Sequence, residues 1–352
     1  TTILYGGRER LIHWEDGAGR YYRHAQALKD EGRLGGWKSG TEARGKKGVL
    51  VSQMSAMPVT LYSGEFYDHN ASVIVPNESN ELAAIWTFAS SPEFCEEVRK
   101  LDRSLKPSNN VFTKVPFDLP HWQKVAAKEY PHGLPKPFSG DPTQWLFDGN
   151  PASADKPLHV AVARLLSYQW PRQTGSSLPD CQAIDSDGLE KLVDVDGIVC
   201  IPSVRGEEPA AERLRKLLAA AYGKEWKPTS EREMIHATGS RADDLDEWLR
   251  NDFFEQHCEL FHQRPFLWHI WDGRMRDGFH ALVNYHKLAE GKGKGRKLLE
   301  SLTYSYLGEW ITRQKDGVKR GEGGAEDRLA AAIELQKRLE AILGGEPPFD
   351  LF

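Results

Sequence analysis

The sequence predicts an α/β (α+β) unit followed by a mainly α-helical unit that contains a short β-hairpin. Three observations carry this. Short β-branched runs bounded by Gly, Pro and Asn, "GVLVSQM" and "ASVIVP", occur in the first 76 residues. From residue 80 onward the apolar period becomes helical, as in "NELAAIWTFAS". Near the end, "RPFLWHIWDGRMRDGFHALVNYHKL" (264–288) places two alternating runs around a loop with Asp-Gly at both ends.

Taken in order, "TTILYGG" reads as a strand and turn, and "EARGKKG" and "LYSGEFYDHN" as loops. Leu82, Ile85, Trp86 and Ala89 share a helical face, with Asn80 as the expected N-cap. Ser91 and Pro92 open a second helix burying Phe94, Val98, Leu101 and Leu105. "NNVFTKVPFDLPHW" is expected to be a strand with a proline-punctuated exit. "PLHVAVARLLSYQW" is a helix stopped by Pro171, and "DGIVCIP" a buried strand. "EEPAAERLRKLLAAAYG" has Pro near its start and Gly at its end, the polarity a helix favours. Ser230–Glu233 has the capping-box spacing, and Ser240 opens a similar one before Leu245, Trp248, Leu249 and Phe253. The last helix, about 325–343, turns Leu329, Ile333, Leu339 and Ile342 inward. Domains are expected at 1–120 and 156–352, joined by a linker over 121–155 whose 131–155 portion is rich in Pro and Gly.

The 352 residues carry 39% hydrophobic and 28% charged side chains, suiting a globular protein. No apolar run approaches the roughly 20 residues of a membrane span. A start without Met and without a signal peptide suggests a piece of a longer, cytoplasmic protein. Cys95, Cys181, Cys200 and Cys258 form no C-x-x-C pair and read as reduced thiols. The net charge of −5 does not argue for nucleic acid, but its distribution does. Residues 1–50 hold ten Lys/Arg against six Asp/Glu, and 287–320 hold nine against four. Two basic patches on an acidic body fit either a polyanion-contacting face or solvated loops.

Several chemistries compete for these residues. Zinc would draw on His257, Cys258, His262, His269, His280 and His286, but adjacent and five-apart ligands do not share a helix face. His269 is expected on the strand face opposite the tryptophans, and the histidines to pack a hairpin. Glu207 and Glu208 occupy the helix start that an anion would need. "GKGKG" (291–295) follows no strand, and "EWK" (225–227) sits in a loop, unlike a nuclease triplet. DNA reading needs cations for phosphates and short polar side chains for base edges. Lys38, Arg44, Lys46 and Lys47 supply the first, in a Gly-rich loop. Ser52, Gln53, His69, Asn70, Asn109, Asn110 and Lys114 supply candidates for the second and for further phosphate contacts.

"YGGRERLIHWEDG", "GWKSG", "LYSGEFYDHNASVIVPN", "LAAIWTFASSPEFCEEVRKLD" and "VFTKVPFDLPHW" occur in this order. They resemble the target recognition domain that follows the catalytic domain in large bacterial adenine-specific DNA methyltransferases, of the Type II restriction-modification and BREX- or DISARM-type phage-defence families. "GDPTQWLFDG", "HVAVARLLSYQWP", "DGIVCIP", "FFEQHCELFHQRPFLWHIWDG", "GFHALVNYHKL" and "TYSYLGEWI" resemble their C-terminal region. The resemblance implies double-stranded DNA as partner, an N-terminal methyltransferase domain elsewhere in the parent, other defence subunits as further partners, and S-adenosylmethionine as the parent's cofactor. It does not extend to the catalytic motifs. Asn150-Pro151 continues with Ala152-Ser153 where a second proline and an aromatic are needed to hold a flipped base. "EPPF" (346–349) has Glu for Asn or Asp, and no G-x-G follows a strand. The chain itself is therefore expected to carry no catalytic, cofactor or metal residue. Two other classes stay open: a partner-docking scaffold of a defence complex, and a metal-dependent hydrolase around His257–His286.

Overall fold

The structure, a computed structural model, describes residues 2–8, 18–34, 40–54, 56–227, 229–345 and 347. Two compact units emerge. The first comprises residues 1–139, 144–147 and 174–184; the second comprises 140–143, 148–173 and 185–352. The fold class is the mixed one expected, two small antiparallel three-stranded sheets among many helices.

In the first unit, helix α1 (Arg20–Asp30) precedes β1 (Gly48–Ser52), β2 (Val59–Tyr62) and β3 (Ala71–Ile74), in the sheet order β2-β1-β3. The register pairs Val49 with Leu61 and Val51 with Val59. All four are buried, while Leu50 and Ser52 are only partly so. Each buried aliphatic contributes about 1.5–3 kcal/mol. A one-residue slip would exchange Val49 and Val51 for Leu50 and Ser52, so the register is strongly specified. The opening residues are not a strand. They run along the free edge of β2, where Leu61 N donates to Leu4 O (2.8 Å) and Gly6 N to Thr60 Oγ1 (3.0 Å). β2 itself lies partly in a stretch whose composition predicts a loop.

Helices α2 (Leu82–Ala89), α3 (Pro92–Leu101), α4 (Asn109–Phe112) and α5 (Leu119–Glu129) cover the buried face with Trp86, Phe88, Phe94, Val98 and Trp122. Asn80 is not the cap of α2. A single 3-10 turn precedes the helix, and Glu78 with Glu81 forms a capping box around it. Ser91 does cap α3, accepting from Phe94 N. That helix ends at Leu101, so Leu101 and Leu105 fall outside the core and are exposed. The strand expected over "NNVFTKVPFDLPHW" is instead α4 and the start of α5, which Asp118 caps through His121 N. The boundary expected at 120 thus falls inside α5. The Pro/Gly-rich stretch is ordered by Asx turns at Asp141 and Asp148, with Leu146 and Phe147 fully buried.

The first α-helix of the second unit is α6 (Pro157–Leu165), which ends before Pro171. Pro171 opens the short α7 (Pro171–Thr174) rather than stopping α6. Strand β4 (Ile198–Cys200) leads to α8 (Ala210–Tyr222), α9 (Ser230–Ala237), α10 (Leu245–Asn251) and α11 (Phe253–Leu260). The expected capping boxes are displaced. Ser230 Oγ accepts from Lys227 N, and Asp244, not Ser240, caps α10. Strands β5 (Leu267–Trp271) and β6 (His280–Asn284) form the hairpin, and β4 extends it in the order β4-β6-β5. After α12 (Tyr285–Leu288) and α13 (Lys294–Glu300), a π-helical turn over Ser301–Tyr306 leads into α14 (Leu307–Lys319) and α15 (Ala325–Gly344). Leu302, Leu307, Trp310 and Leu339 pack there with Ile198, Phe279 and Val283.

Candidate nucleic-acid interface

The expected DNA-contacting residues separate into two groups at opposite ends of β1. Lys47 precedes the strand and Gln53 follows it, which puts their backbones about 20 Å apart. Lys38 lies outside the described residues.

At the leading end, Arg44, Lys46 and Lys47 sit in a loop held by Gly45 N donating to Gly64 O (3.0 Å). Gly64 has φ +101° and a Cβ there would stand 2.8 Å from Gly45 Cα, so the contact requires glycine. Arg44 lies over the Phe66 ring at 4.2 Å, and Lys47 pairs with Asp180. Lys46 is exposed and has no carboxylate partner among the described residues. Beside this loop lies a cavity of about 360 Å³, with Lys47, Lys136, Tyr5 and Asn80 on its wall. Burial pushes the Tyr5 hydroxyl up to about 12, and it donates to Pro135 O (2.8 Å).

At the trailing end the chain converges. Gln53 N donates to Asn70 O (2.8 Å). The Gln53 amide donates to Pro107 O (3.1 Å) and to Asn109 Oδ1. Ser72 Oγ donates to the same Asn109 oxygen (2.6 Å). Lys106 Nζ donates to His69 O (3.0 Å) and Asn70 Oδ1 (3.1 Å). Ser52, His69, Asn70, Asn109 and Asn110 therefore meet at one end of the sheet. Gln53 requires correction as a base reader. It is 3% exposed, and its amide is spent inside the fold, so it supports the surface without reaching a partner. Asn109 is exposed, but its oxygen is likewise taken. His69, Asn110 and Lys114 are exposed, with no side-chain hydrogen bond among the described residues.

Sequence reasoning misses three residues here. Arg103, Leu105 and Lys106 are all exposed on the loop between α3 and α4. Lys106 and Leu105 stand inside the phrase "LKPSNNVFTK" that points to the asparagines. Helical spacing puts Leu105 on a buried helix face, which conceals it.

In the second unit, the histidines of the hairpin region sit among rings. His257 has Phe253, Phe261 and Phe266 within 5.5 Å between centroids, and its Nε2 accepts from Leu267 N. His269 Nε2 and His280 Nδ1 are 2.9 Å apart, and His280 Nε2 donates to Arg274 O (2.9 Å). His269 shares its strand face with Trp271, stacked at 6.1 Å, contrary to the expected separation from the tryptophans. Burial pulls His257 and His269 down to about 3, and His159 and His280 to about 4. Among the described residues no three metal-capable side chains come together.

A polar cluster with no signal in the sequence ties β4 to the π turn. Tyr306 OH donates to Asp196 Oδ2 (2.8 Å), and Arg213 pairs with Asp194 (2.8 Å) and Glu207 (3.4 Å). Burial, then the neighbouring Asp194, pushes the Asp196 carboxyl up to about 6. The basic segment 287–320 is also less free than its composition suggests. Lys294, Arg296, Arg313, Lys319 and Arg320 each lie within 4.0 Å of a nearby carboxylate.

No family model matches this chain, and no curated protein matches it. Asn150 Oδ1 accepts from Ala152 N, capping its own turn, and is not presented to a base. β4 leads to α8, before which stand Glu207 and Glu208, paired with Arg213 and Lys216; two carboxylates at that place disfavour an anion. Neither the Asn150 turn nor the approach to α8 presents the free groups that a flipped base or an anion would need.

Proposed function

We propose that this chain is the DNA-binding and target-recognition portion of a site-specific adenine-N6 DNA methyltransferase, with duplex DNA meeting the first unit. The observation that carries the reading is the convergence at the trailing end of β1. The exposed His69, Asn109 and Asn110 and the half-buried Asn70 gather there with Lys106. The Asn110 side-chain amide is free among the described residues, and Arg103 and Lys114 are exposed on the same stretch of chain. Asparagine can pair bidentately with adenine, while the cations take phosphates. Methyl transfer from S-adenosylmethionine belongs, on this reading, to another domain of the parent protein.

The test is a duplex-binding titration of the chain at two salt concentrations, followed by sequencing of the sites the parent enzyme methylates. Binding that weakens steeply with salt is expected. Substitution of Asn110 or His69 should alter the methylated motif. Salt-independent or absent binding would reject the reading.

A second reading has its own observation. Trp268 and Tyr285, 43% and 42% exposed, stack at 5.5 Å on the second unit, with Trp271 and Met275 also exposed. Exposed aromatic pairs suit a protein partner, such as another defence subunit.

A further inference from the structure

The loop between α3 and α4 is pinned on both sides of one residue. Asp102 Oδ1 accepts from Ser104 N (2.8 Å), and the Arg99 guanidinium donates to Ser104 O. Lys106 Nζ is anchored on His69 O and Asn70 Oδ1, and Pro107 O accepts from the buried Gln53 amide. Residues 104, 106 and 107 are thus fixed, and Leu105 between them is 71% exposed. A mere connection would be more stable with its leucine turned inward, as Phe94 and Val98 of α3 are at 2% and 0% exposure. Here a hydrogen-bonded frame holds an apolar side chain in water.

The surroundings say what covers it. Residues 99–114 contain five basic side chains against the single Asp102, whose carboxylate is already engaged by Ser104; Lys100 pairs with Glu97, and Arg103, Lys106 and Lys114 have no carboxylate partner among the described residues. An apolar tip flanked in the chain by the exposed Arg103 and Lys106, with Asn109 and Asn110 on the turn that follows, is suited to a duplex. Such side chains insert between base pairs, part the stack and kink the helix, while the cations hold the flanking phosphates.

We propose that Leu105 is a wedge that enters a base-pair step of the bound duplex, with Gln53 and Asn109 as positioning residues for its loop. This rests on the reading of the first unit as duplex-binding. The wedge makes the site sensitive to how easily a step unstacks, so sequence is selected through deformability as well as base contacts.

The experiment uses the chain and a duplex containing the site methylated by the parent enzyme, with 2-aminopurine placed in turn at each position. Unstacking relieves the quenching of this base. Wild-type protein should raise its fluorescence several-fold at one step. Leu105→Ala should abolish that rise and weaken binding about tenfold, the loss of one buried leucine. The salt slope should be unchanged, because no cation is removed. Leu105→Met should restore the rise. A superimposable melting curve for Leu105→Ala excludes unfolding as the cause. Salt-dependent binding of the wild type without a rise at any position would overturn the wedge alone. So would a full rise retained by Leu105→Ala. Absence of salt-dependent binding would overturn the duplex reading and the wedge together.

Discussion

The side-chain amide of Gln53 donates to Asn109 Oδ1 across 56 residues of chain, joining the end of β1 to the start of α4. With the second bond from the same amide to Pro107 O, it makes Gln53 the internal brace of the surface that Asn109 and Lys106 present.

Gln53→Ala should therefore act on stability before specificity. It leaves Pro107 O short of a donor in a buried setting, at a cost of about 1–3 kcal/mol, while Asn109 Oδ1 keeps the bond from Ser72 Oγ. A lower Tm and faster amide exchange over 104–110 are expected. An unchanged Tm with an altered methylated motif would return Gln53 to base reading.

Lys46→Ala should weaken duplex binding evenly across sequences and reduce the salt slope by about one. The side chain is exposed and without a carboxylate partner among the described residues, so thermal stability should not move. Lys47→Ala should have a smaller effect on binding, since Asp180 already offsets that charge. Binding isotherms at several salt concentrations compare the two.

Acid should unfold the second unit early. His159, His257, His269 and His280 are held neutral by burial, with folded values of about 3 to 4 against an ordinary 6.5. The unfolded chain takes up protons first as pH falls. The stability is present above 6.5 and is lost as pH drops from there toward 3–4, by up to about 1.4 kcal/mol per pH unit for each histidine. Chemical unfolding at pH 7, 6 and 5 should show this fall; a flat profile would contradict it.

Asp196→Asn should raise Tm at pH 7.5. The folded value of about 6 lies above the ordinary 3.8, so the group favours folding below 3.8 and loses that contribution as pH rises through 6. Asparagine removes the repulsion from Asp194, its one oxygen keeps the bond from Ile198 N, and Tyr306 OH turns to Glu207 Oε1, 3.5 Å away. The gain should disappear near pH 4.5, where the wild-type carboxyl is protonated. Four histidines pull the other way, so acidification remains destabilising for the unit as a whole.

Several patterns with a local cause were legible, although the caps expected at Asn80, Ser230 and Ser240 were not the ones used. The alternation of Val49 and Val51, the cap and proline of Ser91-Pro92, and the Asp-Gly-bounded hairpin all act within a few residues. Each was readable from the chain. The strand expected at 109–122 failed because short apolar runs with prolines look alike in strands and at helix starts, and Asp118 with Pro120 decided for a helix.

Amino-acid order alone determined the fold class, about half of the helices and the residue types of the candidate surface. Tertiary structure decided which of those residues share a surface and which are spent inside. Lys47 and Gln53 are six positions apart yet lie at opposite ends of one extended strand, whereas Lys106 and Asn70 are 36 apart and touch. Hydrogen bonds between distant segments pair groups that no local period marks. The same bonds bury Gln53 and leave Leu105 in water, because a brace must face inward and the frame it supports must turn one side chain out.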